Sequence, residues 1–276
     1  MSPTFAESLI AGGISGTSVD LLFYPIDTVK TRLQSAQGFT RAGGFKGIYK
    51  GVGSVVVGSG PGAAAFFAAY ERLKRVLAPS LPAPIAHMLA ASSAEVAACI
   101  VRVPTEVVKS RAQTGVHGHG GGKGIASASF AAARAVFQAD GLRGFYRGFG
   151  STVVREIPFT SIQFPLYEFF KLRLARYLHK PSVGAHEAAL CGSVAGGIAG
   201  AVTTPLDVLK TRTMLDMRDP TKGEVPSLWN RFVQIRATEG TRALFAGVLP
   251  RTLWISAGGA VFLGAYEWAL ILVSGS

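Results

Sequence analysis

The chain has 276 residues, of which 49% are apolar and only 16% charged, with a mean hydropathy of +0.33. Soluble domains run at about 25% charged, so a water-exposed globule fits poorly, and plentiful aliphatic residues without a Gly-X-Y period exclude collagen or a solvated coil despite the 34 glycines. With that hydrophobicity, a net charge of +12 and a pI near 10.0 point to anionic lipid, not nucleic acid, beside the basic surface.

Met1 to Ser8 hold one Glu and no Lys or Arg, unlike a secretory n-region or an Arg-rich transit peptide, so any organelle address is expected within the sequence that follows. A first helix is expected over residues 5–36, containing Pro25-Ile26-Asp27-Thr28-Val29-Lys30-Thr31-Arg32. The polar segment 37–50 leads into Gly44-Phe45-Lys46-Gly47-Ile48-Tyr49-Lys50-Gly51, and a second helix is expected over 52–77, where Tyr70 precedes Glu71. Beyond the short connection 78–83 the same order returns. Helix 84–113 contains Pro104-Thr105-Glu106-Val107-Val108-Lys109-Ser110-Arg111, segment 114–147 runs into a glycine motif from Gly141 to Gly148, and helix 149–178 holds Glu168. A third round has helix 185–214 with Pro205-Leu206-Asp207-Val208-Leu209-Lys210-Thr211-Arg212, segment 215–246 with a glycine motif from Gly240 to Gly247, and helix 248–272 with Glu267. Each proline motif reads Pro-x-acid-x-x-Lys-x-Arg, and each late Glu lies twenty residues beyond the last glycine of its motif.

Three such rounds give six stretches long enough to cross hydrocarbon, an all-α membrane protein with repeats over 4–77, 84–173 and 185–273. Proline lacks an N–H and its ring clashes with the preceding turn, so helices 5–36, 84–113 and 185–214 are each expected to bend at their proline. The polar segments within the repeats carry aromatic and basic residues that suit a short helix lying at an interface. They hold 12 Lys and Arg, with six more in the adjoining proline motifs, against seven on the inter-repeat side. The positive-inside tendency therefore puts these segments in the more negative compartment, with both termini opposite. Gly12 and Gly16, and Gly192, Gly196 and Gly200, are spaced for close helix packing. Cys99 and Cys191 make neither a Cys-x-x-Cys pair nor a disulfide framework.

In each proline motif the acid and the Lys lie three residues apart on nearly one helix face, at matching depth in the three rounds. They could pair within their own helix. A threefold arrangement also lets each acid reach the Lys of a neighbouring round and close a ring beneath a central cavity. Charges near hydrocarbon are costly unless paired or wetted, so charges that recur three times are expected to face a common interior. At the far end Glu71 is followed by Lys74 and Glu168 by Lys171, but Glu267 by Leu270, so a second ring has at most two cross-repeat pairs.

These three proline motifs, three glycine motifs and Tyr-Glu signatures resemble the mitochondrial carrier family, from about Phe5 to Leu272. The resemblance implies six transmembrane helices around a pseudo-threefold axis in the mitochondrial inner membrane, with short matrix helices and alternating matrix and cytoplasmic gates. Carried over by position, it implies a matrix gate pairing Asp27 with Lys109, Glu106 with Lys210 and Asp207 with Lys30. Gln34 and Gln113 would brace it, and Met214 departs from the third brace. It implies a cytoplasmic gate pairing Glu71 with Lys171 and Glu267 with Lys74, which leaves Glu168 without its usual cation at Leu270.

Charges outside the symmetric motifs carry the substrate information. Asp20 lies five residues before Pro25, where the other rounds have Cys99 and Gly200; Glu95 lies nine before Pro104, where the others have Gly16 and Gly196. Unpaired carboxylates within a span are expensive, which points both toward a cavity. Seven and eight residues past the glycine motifs stand Gly58 and Ser59, Arg155 and Glu156, and Trp254 and Ile255, positions that resemble the family's contact points. Arg155 would clasp an α-carboxylate while Glu156 accepts from an α-ammonium, unless the two only neutralise each other. Arg251, about one turn before Trp254, and Arg102, near the bend of helix 84–113, are open to either a substrate or a gate role. Trp254, Phe66, Phe159 and Phe262 offer rings to a flat heterocycle. An amino-acid head, an extra positive charge and a base are united in S-adenosylmethionine. Segments such as Val19-Asp20-Leu21 and Arg155-Glu156-Ile157-Pro158-Phe159 resemble the branch of the family that carries it, and that resemblance implies exchange for S-adenosylhomocysteine.

The alternatives are a carrier of another amino-acid-like or nucleotide-like solute, or a proton-leak protein on the same fold. An enzyme is not expected. His117 stands where a phosphate loop needs its first glycine and Gly124 where it needs Ser or Thr, and His117 and His119 have no further metal ligands beside them. No metal, cofactor or nucleic acid is expected; the partners are the substrate and membrane lipid, with one copy of the chain acting alone.

Overall fold

The computed structural model describes residues 16–77, 79, 83–115, 125–180, 183–216, 226–258 and 261. Among them every regular element is an α-helix. A helical run at 16–22 (α1) stops at Phe23 and resumes as α2 (Tyr24–Gln34). The long helices are α3 (Val52–Leu77), α4 (Ala83–Thr114) and α6 (Phe149–Tyr177). α7 (Ala185–Val202) and α8 (Thr204–Leu215) are two arms of one bent helix. α5 (Ile125–Phe145), α9 (Leu228–Thr238) and α10 (Thr241–Leu244) occupy the polar segments, and residues 248–258 form α11. The expectations for Gly12, His117, His119, Phe262 and Glu267 fall outside the described residues.

The three motif prolines act unequally. Pro25 and Pro205 sit in the first turn of α2 and α8, where a missing N–H costs nothing, and Phe23 (φ −91°, ψ 2°) and Thr203 (φ −89°, ψ 7°) leave helical geometry just before them. The α7–α8 bend is 64°. There the hydroxyls of Thr203 and Thr204 donate to the carbonyls of Ala199 and Gly200 at 2.7 and 2.8 Å, satisfying acceptors near the break. In α4 the helix runs on through Pro104.

Polar segments two and three contain the expected short helices, but the first does not. Residues 37–50 form successive turns in which Gly38, Gly43, Gly44 and Gly47 all have φ between 53° and 110°. A right-handed helix cannot hold four such residues in so short a run, so the expectation of a short helix here is corrected.

The last glycine of each glycine motif welds one repeat to the next. Gly51 (φ 93°) starts α3 so close to α4 that a Cβ would fall 3.1 Å from the Lys109 carbonyl oxygen and 2.8 Å from Tyr24 Oη. Gly148 starts α6 against Met214 of α8, and Gly247 starts α11 against Lys30 of α2. The seam therefore runs from the first repeat to the second, the second to the third, and the third back to the first. Further along, Gly196 and Gly200 bring α7 onto α11, where an added Cβ would meet Ile255 at 2.8 and 2.7 Å.

Among the described residues, α3 is long and apolar enough to cross a membrane, and the bent α7–α8 pair passes as one broken span. α4 and α6 have the length, yet carry Glu95, Arg102, Glu106 and Lys109, and Arg155, Glu156, Glu168 and Lys171. Composition understates such helices when their charges face a shared interior.

Candidate functional site

α2, α4 and α8 meet pairwise, and three ion pairs join them. Lys109 Nζ lies 2.9 Å from Asp27 Oδ2, Lys210 Nζ 2.7 Å from Glu106 Oε2, and Lys30 Nζ 2.8 Å from Asp207 Oδ2. Each Lys thus reaches the acid of a neighbouring repeat, not the one three residues earlier in its own helix. The Gln34 amide donates to Asp207 Oδ2 at 2.9 Å while its carbonyl accepts from Thr211 Oγ1 at 2.6 Å. The Gln113 amide donates to Asp27 Oδ2 at 3.1 Å. In the third place Met214 packs with Cys99, Val103 and Val107 and offers no amide to the Lys210–Glu106 pair.

The motif arginines, to which sequence reasoning gave no role, form a second ring. Arg32 Nε donates to Gln113 O at 2.8 Å, Arg111 Nε to Met214 O at 3.1 Å and Arg212 Nε to Gln34 O at 3.1 Å. Each guanidinium thereby caps free carbonyls at the end of the next repeat's helix, where the dipole also favours positive charge. Arg32 and Arg111 are each only 1% exposed, so the rest of each fork needs internal partners. Arg212 grips the Glu239 carboxylate bidentately, holding that carboxyl below the usual carboxylate range through its hydrogen bond. Arg111 lies 3.9 Å from Asp140, which Arg147 holds at 3.0 Å. The first repeat has Gly43 at this position, and Arg32 takes the carbonyls of Gly44, Lys46 and Gly47 at 2.7 to 3.1 Å. The signal was present in the sequence: an Arg fixed in all three motifs, and an acid just before two of the three glycine motifs.

The ring floors a cavity of about 790 Å³, lined by all eight residues expected at a substrate site: Asp20, Gly58, Glu95, Arg102, Arg155, Glu156, Arg251 and Trp254. Phe66 and Phe159 line it as well. Its ionic lining balances, with Asp20, Asp27, Glu95, Glu106, Glu156 and Asp207 against Lys30, Arg102, Lys109, Arg155, Lys210 and Arg251. The expectation that Glu95 stands unpaired is corrected. Two helical turns along α4, Arg102 reaches back with NH2 2.6 Å from Glu95 Oε1, and the same nitrogen is 3.1 Å from Glu156 Oε1. Arg102 Nε lies 3.3 Å from Glu106 Oε1 but out of hydrogen-bonding alignment. Arg155 is ion-paired to Glu156, with its Nε 3.8 Å from Asp207. Arg251 joins the ring, NH1 lying 2.7 Å from Asp207 Oδ1 and NH2 donating to Thr203 Oγ1 at 2.9 Å. Asp20 stands apart. It accepts from Ser59 Oγ at 2.9 Å and has no cation at ion-pair distance among the described residues. Gly58 lines the cavity because α3 crosses Thr105 there: an added Cβ would meet Thr105 atoms at 2.5 to 2.7 Å.

At the opposite end, Lys171 does not meet Glu71. It lies 3.1 Å from Glu168, one turn earlier in its own helix, and over the Tyr167 ring at 4.8 Å. Lys74 similarly lies over Tyr70 at 5.8 Å. In this structure the expected Glu71–Lys171 pair is therefore replaced by a local one. Glu168, expected without a cation, has one, because a side chain 59% exposed at a helix surface pairs most readily with its own helix.

Comparison with known proteins follows the same threefold division. A family model described as "Mitochondrial carrier protein" matches residues 2–81, 82–178 and 182–275. The "Mitochondrial S-adenosylmethionine carrier protein" of Mus musculus is 48% identical over 275 residues, covering 99% of this chain and 96% of its own length. The "Putative mitochondrial carrier protein PET8" of Eremothecium gossypii is 48% identical over 280 residues, covering 97% of this chain and 98% of its own. The "S-adenosylmethionine mitochondrial carrier protein homolog" of Drosophila melanogaster is 47% identical over 268 residues, covering 95% and 91%. A tripled motif, a ring closed in cyclic order and similarity across nearly the entire length lead to one conclusion: the chain belongs to the mitochondrial carrier family.

Proposed function

We propose that this chain carries S-adenosylmethionine into the mitochondrial matrix across the inner membrane, in exchange for S-adenosylhomocysteine, by alternating access. Two lines support the substrate. Relatives at 47 to 48% identity over almost the full length bear the name of S-adenosylmethionine carriers. The observation that carries the reading is Asp20, a cavity carboxylate held by Ser59 with no cation at ion-pair distance among the described residues. A sulfonium is a positive centre that donates no hydrogen bond, and such a carboxylate offers it Coulombic attraction without a proton to satisfy. The α-ammonium then falls to Glu95 and Glu156, the α-carboxylate to Arg155, and the adenine to Trp254 and Phe159.

In this reading the repeats 4–77, 84–173 and 185–273 contribute six spans around a pseudo-threefold axis, with both termini toward the intermembrane space. The ring of Asp27, Lys30, Glu106, Lys109, Asp207 and Lys210, braced by Gln34 and Gln113, is the matrix gate. Glu71, Lys74, Glu168, Lys171 and Glu267 form the cytoplasmic gate, and Glu168–Lys171 is that gate at rest in its open state. One copy of the chain suffices, anionic lipid covers the basic rims, and nucleic acid is not a partner. Substrate drives the cycle only through interactions stronger in the occluded state, because equal affinity for both open states shifts nothing.

The test is uptake of radiolabelled S-adenosylmethionine into proteoliposomes loaded with S-adenosylhomocysteine, with S-adenosylhomocysteine, ornithine and ATP as external competitors. Uptake dependent on internal substrate and inhibited by S-adenosylhomocysteine alone supports the reading. Inhibition by ornithine or ATP moves the substrate class, and acidification without exchange replaces the carrier with a proton leak.

A further inference from the structure

The three pairs of the ring are unequal, and Arg102 stands at the weakest. Asp207 gathers Lys30, Arg251 and the Gln34 amide, with Arg155 nearby. Asp27 has Lys109 and the Gln113 amide. Glu106 has Lys210 on one oxygen, Met214 where an amide would stand, and Arg102 near the other oxygen. Arg102 is shared among three carboxylates. Its NH2 serves Glu95 and Glu156 in the cavity, and its buried Nε lies 3.3 Å from Glu106 Oε1, misaligned for a hydrogen bond.

That frustrated Nε defines a second arrangement. A guanidinium pairs best with a carboxylate side-on, through Nε and one NH2 to both oxygens at once. Glu95 and Glu156 prevent this by holding NH2. One of the two oxygens a side-on grip requires is Glu106 Oε2, the atom Lys210 holds at 2.7 Å. We propose that Arg102 is the positioning residue that passes cavity occupancy to the ring: a substrate ammonium on Glu95 and Glu156 releases its NH2, the guanidinium turns side-on to Glu106, and Lys210 is displaced. The ring then opens first at its unbraced pair. Each carboxylate exchanges one cation for another, so no acid is bared in the interior, and the ion left over is the Lys210 ammonium, which water takes up as the ring parts beside it. This rests on the reading of the cavity as the site of a cationic amino-acid-like substrate.

Arg102→Lys tests it. Lysine keeps the charge on Glu95 and Glu156 but cannot grip side-on. In the proteoliposome exchange assay Vmax falls at least about tenfold while KM changes less than about twofold, and the thermal shift given by S-adenosylmethionine is retained. Arg102→Gln removes the charge as well and raises KM. Met214→Gln tests the same claim without touching Arg102: an amide placed beside Glu106 slows exchange several-fold at unchanged KM. Wild-type Vmax in Arg102→Lys, or in Met214→Gln, overturns the coupling, as does a loss in Arg102→Lys confined to KM. If Arg102→Lys does not fold, Met214→Gln decides alone. Wild-type protein with neither exchange nor a thermal shift overturns the substrate reading and the coupling built on it.

Discussion

Replacing Asp20 with Asn removes the uncompensated carboxylate while keeping a group that Ser59 Oγ can still donate to. A sulfonium about 4 Å from a carboxylate gains about 4 kcal/mol at an effective dielectric near 20, and desolvating the two ions returns about half of it, leaving about 2 kcal/mol. The loss weakens S-adenosylmethionine about thirtyfold. S-adenosylhomocysteine has no sulfonium, so its apparent affinity changes less than about threefold, and the ratio between the two ligands isolates the charge from any general damage. Thermal-shift measurement reads this directly. At a concentration 100 times the wild-type Kd, bound ligand stabilises wild type by about 2.7 kcal/mol and the variant by about 0.9 kcal/mol. Without ligand the variant melts no lower than wild type, because neutralising a half-buried, unpaired carboxylate removes a desolvation cost. Equal weakening of both ligands, or of neither, refutes the placement of the sulfonium at Asp20.

Other outcomes follow from the geometry. Gly58→Ala sets a Cβ 2.5 to 2.7 Å from Thr105 and lowers the melting temperature by an amount equivalent to about 1–3 kcal/mol, whereas Gly60→Ala, inside the same helix with nothing within 4 Å, does not lower it. Arg32→Lys puts one ammonium where a fork meets four carbonyls, and the orphaned acceptors cost about 2 kcal/mol or more in thermal denaturation. The Arg212–Glu239 grip gives a pH signature. Its folded carboxyl is depressed, so its stabilisation is complete above the ordinary Glu value of about 4.3 and fades as pH falls through the lower folded value. The difference in melting temperature between wild type and Glu239→Gln is therefore constant from about pH 7 to 5 and shrinks below about pH 4, and because Glu239 is 40% exposed it is worth no more than about 1 kcal/mol.

The parts of the fold legible in sequence were those fixed by repetition. The proline and glycine motifs gave helix bounds at 52–77, 84–113, 149–178 and 185–214 that the described residues match within one residue at each end. They also gave the lysine–acid ring, since threefold recurrence of a buried charge implies a shared interior. What escaped depends on single positions within the repeats. The turn-rich 37–50 segment shares its glycine motif with its counterparts but has additional positive-φ glycines and fewer residues. The Glu95–Arg102 contact follows from a spacing of seven, two helical turns, that was available to be read. Arg155 and Glu156 are read in sequence as able to neutralise each other, but Glu95 and Arg102 are taken separately, one as a cavity acid and the other as a substrate or gate residue. Arg32, Arg111 and Arg212 have no role as letters of a motif, although a guanidinium repeated at the end of three helices and buried there needs acceptors, which the next repeat's carbonyls supply.

The balance of charge inside the cavity bears on exchange itself. Six carboxylates face six cations, but they are shared unevenly: Lys30 and Arg251 pair with Asp207, Arg102 serves Glu95 and Glu156, Arg155 pairs with Glu156, and Asp20 has no cation at ion-pair distance among the described residues. A cavity with large net negative charge would hold a cationic solute through its monopole, and the neutral return ligand could not displace it. A balanced cavity orients an amino-acid head of either ligand through the same Arg155, Glu95 and Glu156 and leaves discrimination to one carboxylate. Two ligands differing by one positive charge then bind the same frame with affinities separated by one interaction of about 2 kcal/mol, a gap that cellular concentrations can offset. Had Asp20 been paired like the other five acids, the sulfonium would have had to displace a resident cation. Under the proposed exchange, its isolation beside Ser59 would let one site accept both the charged and the neutral ligand.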